Sequence, residues 1–70
     1  MKVNFSQVCQ AVHDAQQDPV YDSLGLLIHR TRERRDECKW AMRRAAEREL
    51  IWISKSGRVE LLSEGKGYVR

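Results

Sequence analysis

The hydrophobic period of this chain changes once, near residue 50. Before it, apolar side chains recur at spacings of three and four; after it they gather in two short runs rich in β-branched and aromatic residues. The first spacing turns one face of a helix towards a core and the second turns one face of a strand there, so the chain is confined to helices followed by a β-ribbon. Its 70 residues leave room for one domain with a thin core.

Phe5, Val8, Cys9, Val12 and Ala15 alternate with Gln7, Gln10, His13 and Asp14 in a pattern that predicts an amphipathic helix over about 5–17, capped by Asn4 or Ser6. Pro19 disfavours helical backbone at Asp18, so residues 18–22 read as a connector. Asp22 or Ser23 can cap a second helix reaching about residue 31, with Leu24, Leu27, Ile28 and Thr31 on one side. Gly25, a poor helix former, points to a close packing contact there. Arg30 to Arg35 contains no apolar residue: either the helix breaks or it runs on exposed, and Asp36 as an N-cap favours the break. A third helix over about 36–49 sets Cys38, Ala41, Met42, Ala45 and Glu49 on one stripe, with Asp36, Lys39, Trp40, Arg43 and Glu47 opposite.

A hairpin is predicted over about 50–63, because Lys55-Ser56-Gly57 separates the two strand-like runs and Gly57 suits the left-handed position of a three-residue loop. Pairing Ser54 with Arg58 sets Ile53 opposite Val59 and Ile51 opposite Leu61, all on one face. The other face then carries Leu50, Trp52, Glu60 and Leu62, an apolar patch. Residues 64–70, with Gly65 and Gly67, read as a turn or loose tail whose Tyr68 and Val69 are available to cover the patch around Trp52.

Charge divides along the chain. Residues 1–28 carry Lys2 against Asp14, Asp18 and Asp22, whereas residues 29–70 carry twelve Lys or Arg against seven Asp or Glu. A domain with one basic face fits contact with a polyanion. Cys9 and Cys38 both fall on apolar stripes and form no paired motif, which favours buried thiols over a disulfide or a zinc site. His13 and His29 have no ligand-spaced neighbour, and no nucleophile–base pair, phosphate-cradling glycine loop or carboxylate dyad stands out. No enzyme activity, cofactor, metal or small-molecule ligand is therefore expected. No apolar run approaches the length of a membrane span and no signal pattern opens the chain, so a cytoplasmic location is expected.

Three helices, a tight basic connection between the last two, and a hairpin resemble the winged helix-turn-helix family of DNA-binding domains. From Ser23 to Ile51 the chain is similar to that family's second and third helices without a gap. Ser23 and Leu24 stand where the second helix opens, Leu27 at its main buried position and Thr31 at its close. Arg34-Arg35-Asp36-Glu37 start the third, with Cys38, Ala41, Met42 and Ala45 inward. The segment from Ser56 to Ser63 is similar to the wing. Glu49 departs from the family's usual glycine, and Arg32 and Glu33 stand where a glycine and an apolar residue are typical.

The resemblance implies an α+β fold, mainly α, with three helices and a C-terminal hairpin wing over the whole of residues 1–70. It also implies a third helix in the major groove of double-stranded DNA and a wing on the backbone. On that mode Arg34, Arg35, Lys39, Trp40, Arg43 and Arg44 on the helix, with Lys55, Ser56 and Arg58 on the wing, are the expected DNA contacts. The expected function is sequence-specific or architectural DNA binding, as in a small transcription regulator or an excision-type factor of a phage or other mobile element. A homodimer would use Leu50, Trp52 and Leu62. The alternative is a protein-interaction module docking through Trp40, Trp52 and Leu62.

Overall fold

The computed structural model describes residues 2–18 and 20–70; Pro19, the centre of the expected connector, lies outside them. Three helices, α1 (Phe5–Ala15), α2 (Ser23–Thr31) and α3 (Arg35–Glu47), precede an antiparallel hairpin of β1 (Ile51–Ile53) and β2 (Val59–Leu61), and a single-turn helix α4 (Ser63–Lys66) follows. The order and class are those expected from the change of period.

Each helix start has a physical cause. Asn4 caps α1 in a reciprocal box: its side chain accepts from the Gln7 N–H at 2.8 Å and its own N–H donates to Gln7 Oε1 at 3.0 Å. Asp22 caps α2 by accepting from the Gly25 N–H at 2.6 Å, and Gly25 leaves room for that carboxylate, which a Cβ there would crowd. The break after α2 is real, but α3 opens one residue earlier than expected. Its N-cap is Arg34, in extended backbone and without a side-chain cap bond, and Asp36 lies inside the first turn beside Glu37. There the two carboxylates oppose the positive end of the helix dipole without capping it. Helix α1 stops at Ala15, two residues short of the expected end, because the N–H groups of Gln17 and Asp18 turn back to Asp14 and Ala15 in a tightened last turn.

Both ends that lack the expected glycine adopt the glycine conformation regardless. Arg32 closes α2 at φ 57° and Glu49 follows α3 at φ 60°. At α3 the Leu50 N–H reaches Ala45 O and the Glu49 N–H reaches Ala46 O, both at 3.0 Å, the two bonds of a Schellman ending. Glu49 is thus exposed and out of the helix, not on the buried stripe where the spacing set it. The chain turns sharply and drops Leu50 and Ile51 into the core.

That core is formed by Val3, Val8, Cys9, Val12, Leu27, Cys38, Ala41, Met42, Ala45, Leu50 and Ile51, with Val59, Leu61 and Val69 packed against it. Cys9 and Cys38 are free and fully buried, and burial pushes the Cys9 thiol above its ordinary pKa. The hairpin has the expected register, Ile51 opposite Leu61 and Ile53 opposite Val59, closed by Gly57 at φ 91°. The tail is not loose. Gly65 is buried against the Leu50 carbonyl so closely that a Cβ would collide with it. Tyr68 meets the Phe5 ring edge-on at 6.4 Å, and the Arg70 N–H donates to Gln10 Oε1 at 2.9 Å. Tyr68 and Val69 therefore cover α1 and the core, not Trp52.

Helices α1 and α2 are joined by a polar cluster centred on Asp14. Its carboxylate accepts from Arg30 at 2.7 Å, and from His13 Nδ1 and Gln10 Nε2 at 3.0 Å each. The hydrogen bonds from His13 and Arg30 hold its pKa at about 2, below the usual 3.8.

A side chain in left-handed backbone costs about 1–2 kcal/mol, partly offset by the greater freedom that glycine brings to the unfolded chain. Arg32→Gly and Glu49→Gly should therefore each raise stability by about 0.5–1 kcal/mol in urea unfolding, with an unchanged m value. A pKa depressed in the folded state makes Asp14 stabilising above the unfolded value near 3.8, and that contribution is lost as pH falls towards 2. With the group still partly open to solvent, Asp14→Asn should cost about 1 kcal/mol at neutral pH. The gap to wild type should close between pH 4 and pH 2 in acid unfolding curves.

Candidate nucleic-acid interface

The inward stripe of α3 is buried at Cys38, Ala41, Met42 and Ala45, which forces Asp36, Lys39, Trp40, Arg43 and Glu47 outward, where all five are exposed. Lys39 and Arg43 are one turn apart on one flank. That flank faces the inner side of the hairpin. Together with Leu24, Met42, Ile53, Gly57 and Val59 they line a cleft with an apolar floor and a cationic rim, bounded at one end by Asp22. The floor was half legible in the sequence, since the hairpin register places Ile53 and Val59 on one face. That Leu24 and Met42 complete it depends on the crossing of α2 and α3, which no spacing reports.

Arg34 and Arg35 stand exposed at the opening of α3, and Lys55 and Ser56 at the hairpin tip. The tip is braced by Ser54. Its Oγ lies 2.8 Å from Ser56 Oγ and accepts from the Arg58 N–H at 2.9 Å, while its carbonyl accepts from the Gly57 N–H at 3.0 Å. Lys55 is thus presented on a fixed turn.

Other cations expected at the interface lie elsewhere. Arg44 is on the opposite flank of α3, bonded to Glu47 at 3.1 Å with its guanidinium 5.8 Å from the centre of the Trp40 ring. Trp40, 49% exposed, borders a hollow with Lys2, Asp36 and Glu37, so its surroundings are as acidic as basic. Arg58 projects from the outer face of the ribbon beside Glu60, Nε to Oε1 3.8 Å, away from Lys39 and Arg43. Arg48, which sequence reasoning passed over, lies over the Phe5 ring at 5.7 Å; its signal was an arginine next to a helix end, too common a feature to single out.

The expected apolar patch does not form as one surface. Leu50 is core, Leu62 is half-buried, and Trp52 stands 52% exposed on the outer face of the ribbon. Leu50 is diverted because its backbone serves both sides: its N–H closes α3 and its carbonyl accepts from the Leu62 N–H at 3.0 Å. Among the described residues no group of three or more His, Cys, Asp or Glu is placed to share a metal ion, and no helix is long and apolar enough to cross a membrane. His13 is engaged with Asp14, and His29 stacks on Tyr21 at 5.5 Å.

Arg30, Arg44 and Arg58 each have a carboxylate within salt-bridge distance. Among the described residues no such pair involves Arg34, Arg35, Lys39, Arg43 or Lys55, and none involves Lys2, Arg32, Arg48, Lys66 or Arg70. The first five of these stand at the helix opening, the cleft rim and the hairpin tip. No protein-family model, curated protein or solved structure matches the chain.

Proposed function

We propose that the chain is a non-catalytic duplex DNA-binding protein that lays the Lys39–Arg43 flank of α3 in the major groove and sets its hairpin tip on the flanking backbone. The observation that carries this reading is the placement of exposed cations: Lys39 and Arg43 rim the cleft against the hairpin, with Arg34 and Arg35 at the opening of the same helix and Lys55 at the hairpin tip. Arg34, Arg35, Lys39, Arg43 and Lys55 have no carboxylate within salt-bridge distance among the described residues, so their charge is available to a polyanion. An α-helix fits the major groove, where Lys39 and Arg43 can reach guanine edges; Arg34, Arg35 and Lys55 are suited to phosphates.

A domain of this kind suits a small cytoplasmic regulator or an excision-type factor of a mobile element. The protein-docking alternative has in its favour the two half-exposed tryptophans, but Trp40 and Trp52 lie on different elements, and Leu50 does not join them into one apolar surface.

The test is a titration of duplex DNA at several salt concentrations. With Arg34, Arg35 and Lys55 each neutralising a phosphate, the log–log salt slope should be about −3, since each contact contributes roughly −0.9. Lys39→Glu and Arg43→Glu should each weaken binding by at least tenfold while staying folded, because exposed helix positions change stability by under about 0.5 kcal/mol. Lys55→Ala should weaken all sequences alike and lower the slope by about one. Arg44→Ala, on the far flank, should change little. Wild-type affinity and slope in both charge reversals would overturn the reading in favour of a protein partner.

A further inference from the structure

Apolar surface is left uncovered on the inner side of the hairpin. Ile53 faces that side yet is 40% exposed, and Leu24 and Val59 are half-buried beside it. With Met42 they floor the cleft between α2, α3 and the ribbon, whose volume is about 300 Å³. Gly57 brings no side chain to this cleft, and a Cβ there would meet no atom within 4 Å. Two cations stand at the rim. Lys39 and Arg43 are both exposed, and among the described residues neither has a carboxylate within salt-bridge distance. The acidic residue of the cleft, Asp22, is already engaged, its carboxylate accepting from the Gly25 N–H at 2.6 Å.

We propose that the cleft binds a small carboxylate with a compact apolar body, the body on the floor around Ile53 and the carboxylate between Lys39 and Arg43. Each half of such a ligand has its own warrant. Covering the floor removes apolar surface from water. A carboxylate placed between an ammonium and a guanidinium accepts charge-assisted hydrogen bonds from both, and these are stronger beside an apolar wall than in open solvent.

Size and chemistry select this occupant. The volume lies at the lower end of the range usual for ligand sites, which suits one small molecule. Duplex DNA can bring acceptor groups to Lys39 and Arg43, but its paired and stacked bases offer no apolar group larger than a thymine methyl to fill the floor. No such ligand is expected from the sequence, because the floor is assembled by the crossing of three elements. Carboxylate binding does not rest on the DNA reading; the two share Lys39 and Arg43, so a bound carboxylate and a duplex exclude each other.

Amide NMR titrations with 2-naphthoate and with its neutral counterpart 2-naphthamide, without DNA, test it. Wild type should saturate with 2-naphthoate at a dissociation constant of about 1 mM or tighter, with shifts centred on Leu24, Lys39, Arg43, Ile53 and Gly57. The amide should bind about tenfold more weakly. The double variant Lys39→Gln/Arg43→Gln should bring acid and amide to about the same affinity, whereas Ile53→Asn should weaken both by about tenfold. Arg44→Gln, on the opposite flank of α3, should change neither. The spectra themselves verify that each variant is folded. Failure to saturate, shifts scattered beyond the cleft, or equal affinity of wild type for acid and amide would each overturn the proposal. So would a double variant that keeps the preference, or binding indifferent to Ile53→Asn. Cleft shifts that grow with protein concentration alone would overturn it in favour of a second copy as the occupant.

Discussion

The left-handed turn at Glu49 is the constraint on which the rest of the architecture depends. It ends α3, reverses the chain within two residues, and delivers Leu50 to a point where three elements meet. The Leu50 N–H closes the helix, its carbonyl accepts from Leu62 at the far end of the hairpin, and Gly65 packs against that same carbonyl. The angle between α3 and the hairpin is fixed at this one peptide. Since the cleft between Lys39, Arg43 and the inner hairpin face is defined by that angle, the candidate interface is set by a backbone conformation several residues away from any of its cations.

The sequence revealed the parts of the fold that depend on period and turn chemistry. Spacing sufficed for α1, α2 and α3, and Gly57 with the alternation on each side sufficed for the register, because a one-residue slip would have thrown Ile51, Ile53, Val59 and Leu61 to the wrong face. What escaped were features decided by close approach. The tail looked loose because Gly65 and Gly67 are poor helix formers, yet Gly65 is required for closeness to Leu50 and tertiary packing overrides its propensity. Asp36 looked like a cap because aspartate is a good one, but the helix opens as soon as the left-handed Arg32 has turned the chain, and Arg34 takes the position by geometry.

At the candidate site, residue type was legible and residue role was not. All the cations could be read off as exposed, but pairing depends on which neighbours fold back onto them. Arg44 and Glu47 are three apart on one helix and meet there, whereas Arg30 finds Asp14 on a different helix, a partnership of sequence-distant residues. The patch of Leu50, Trp52 and Leu62 failed for a related reason: alternation puts three side chains on one face of an ideal ribbon, while the real strand begins only at Ile51 and Leu50 still belongs to the turn.

The bond from the Arg70 N–H to Gln10 spans 60 positions, and Tyr68 rests on Phe5 beside it. Closing a loop of that size carries an entropic cost that grows only logarithmically with length, but the cost must be met before the contact returns anything. The helices and the hairpin can form from near neighbours, whereas this closure needs most of them already in place. Residues 68–70 are thus expected to close on the first helix late in folding, and loss of that contact should loosen both segments together. Residues 5–10 and 68–70 should then open as one unit although 60 positions separate Gln10 from Arg70.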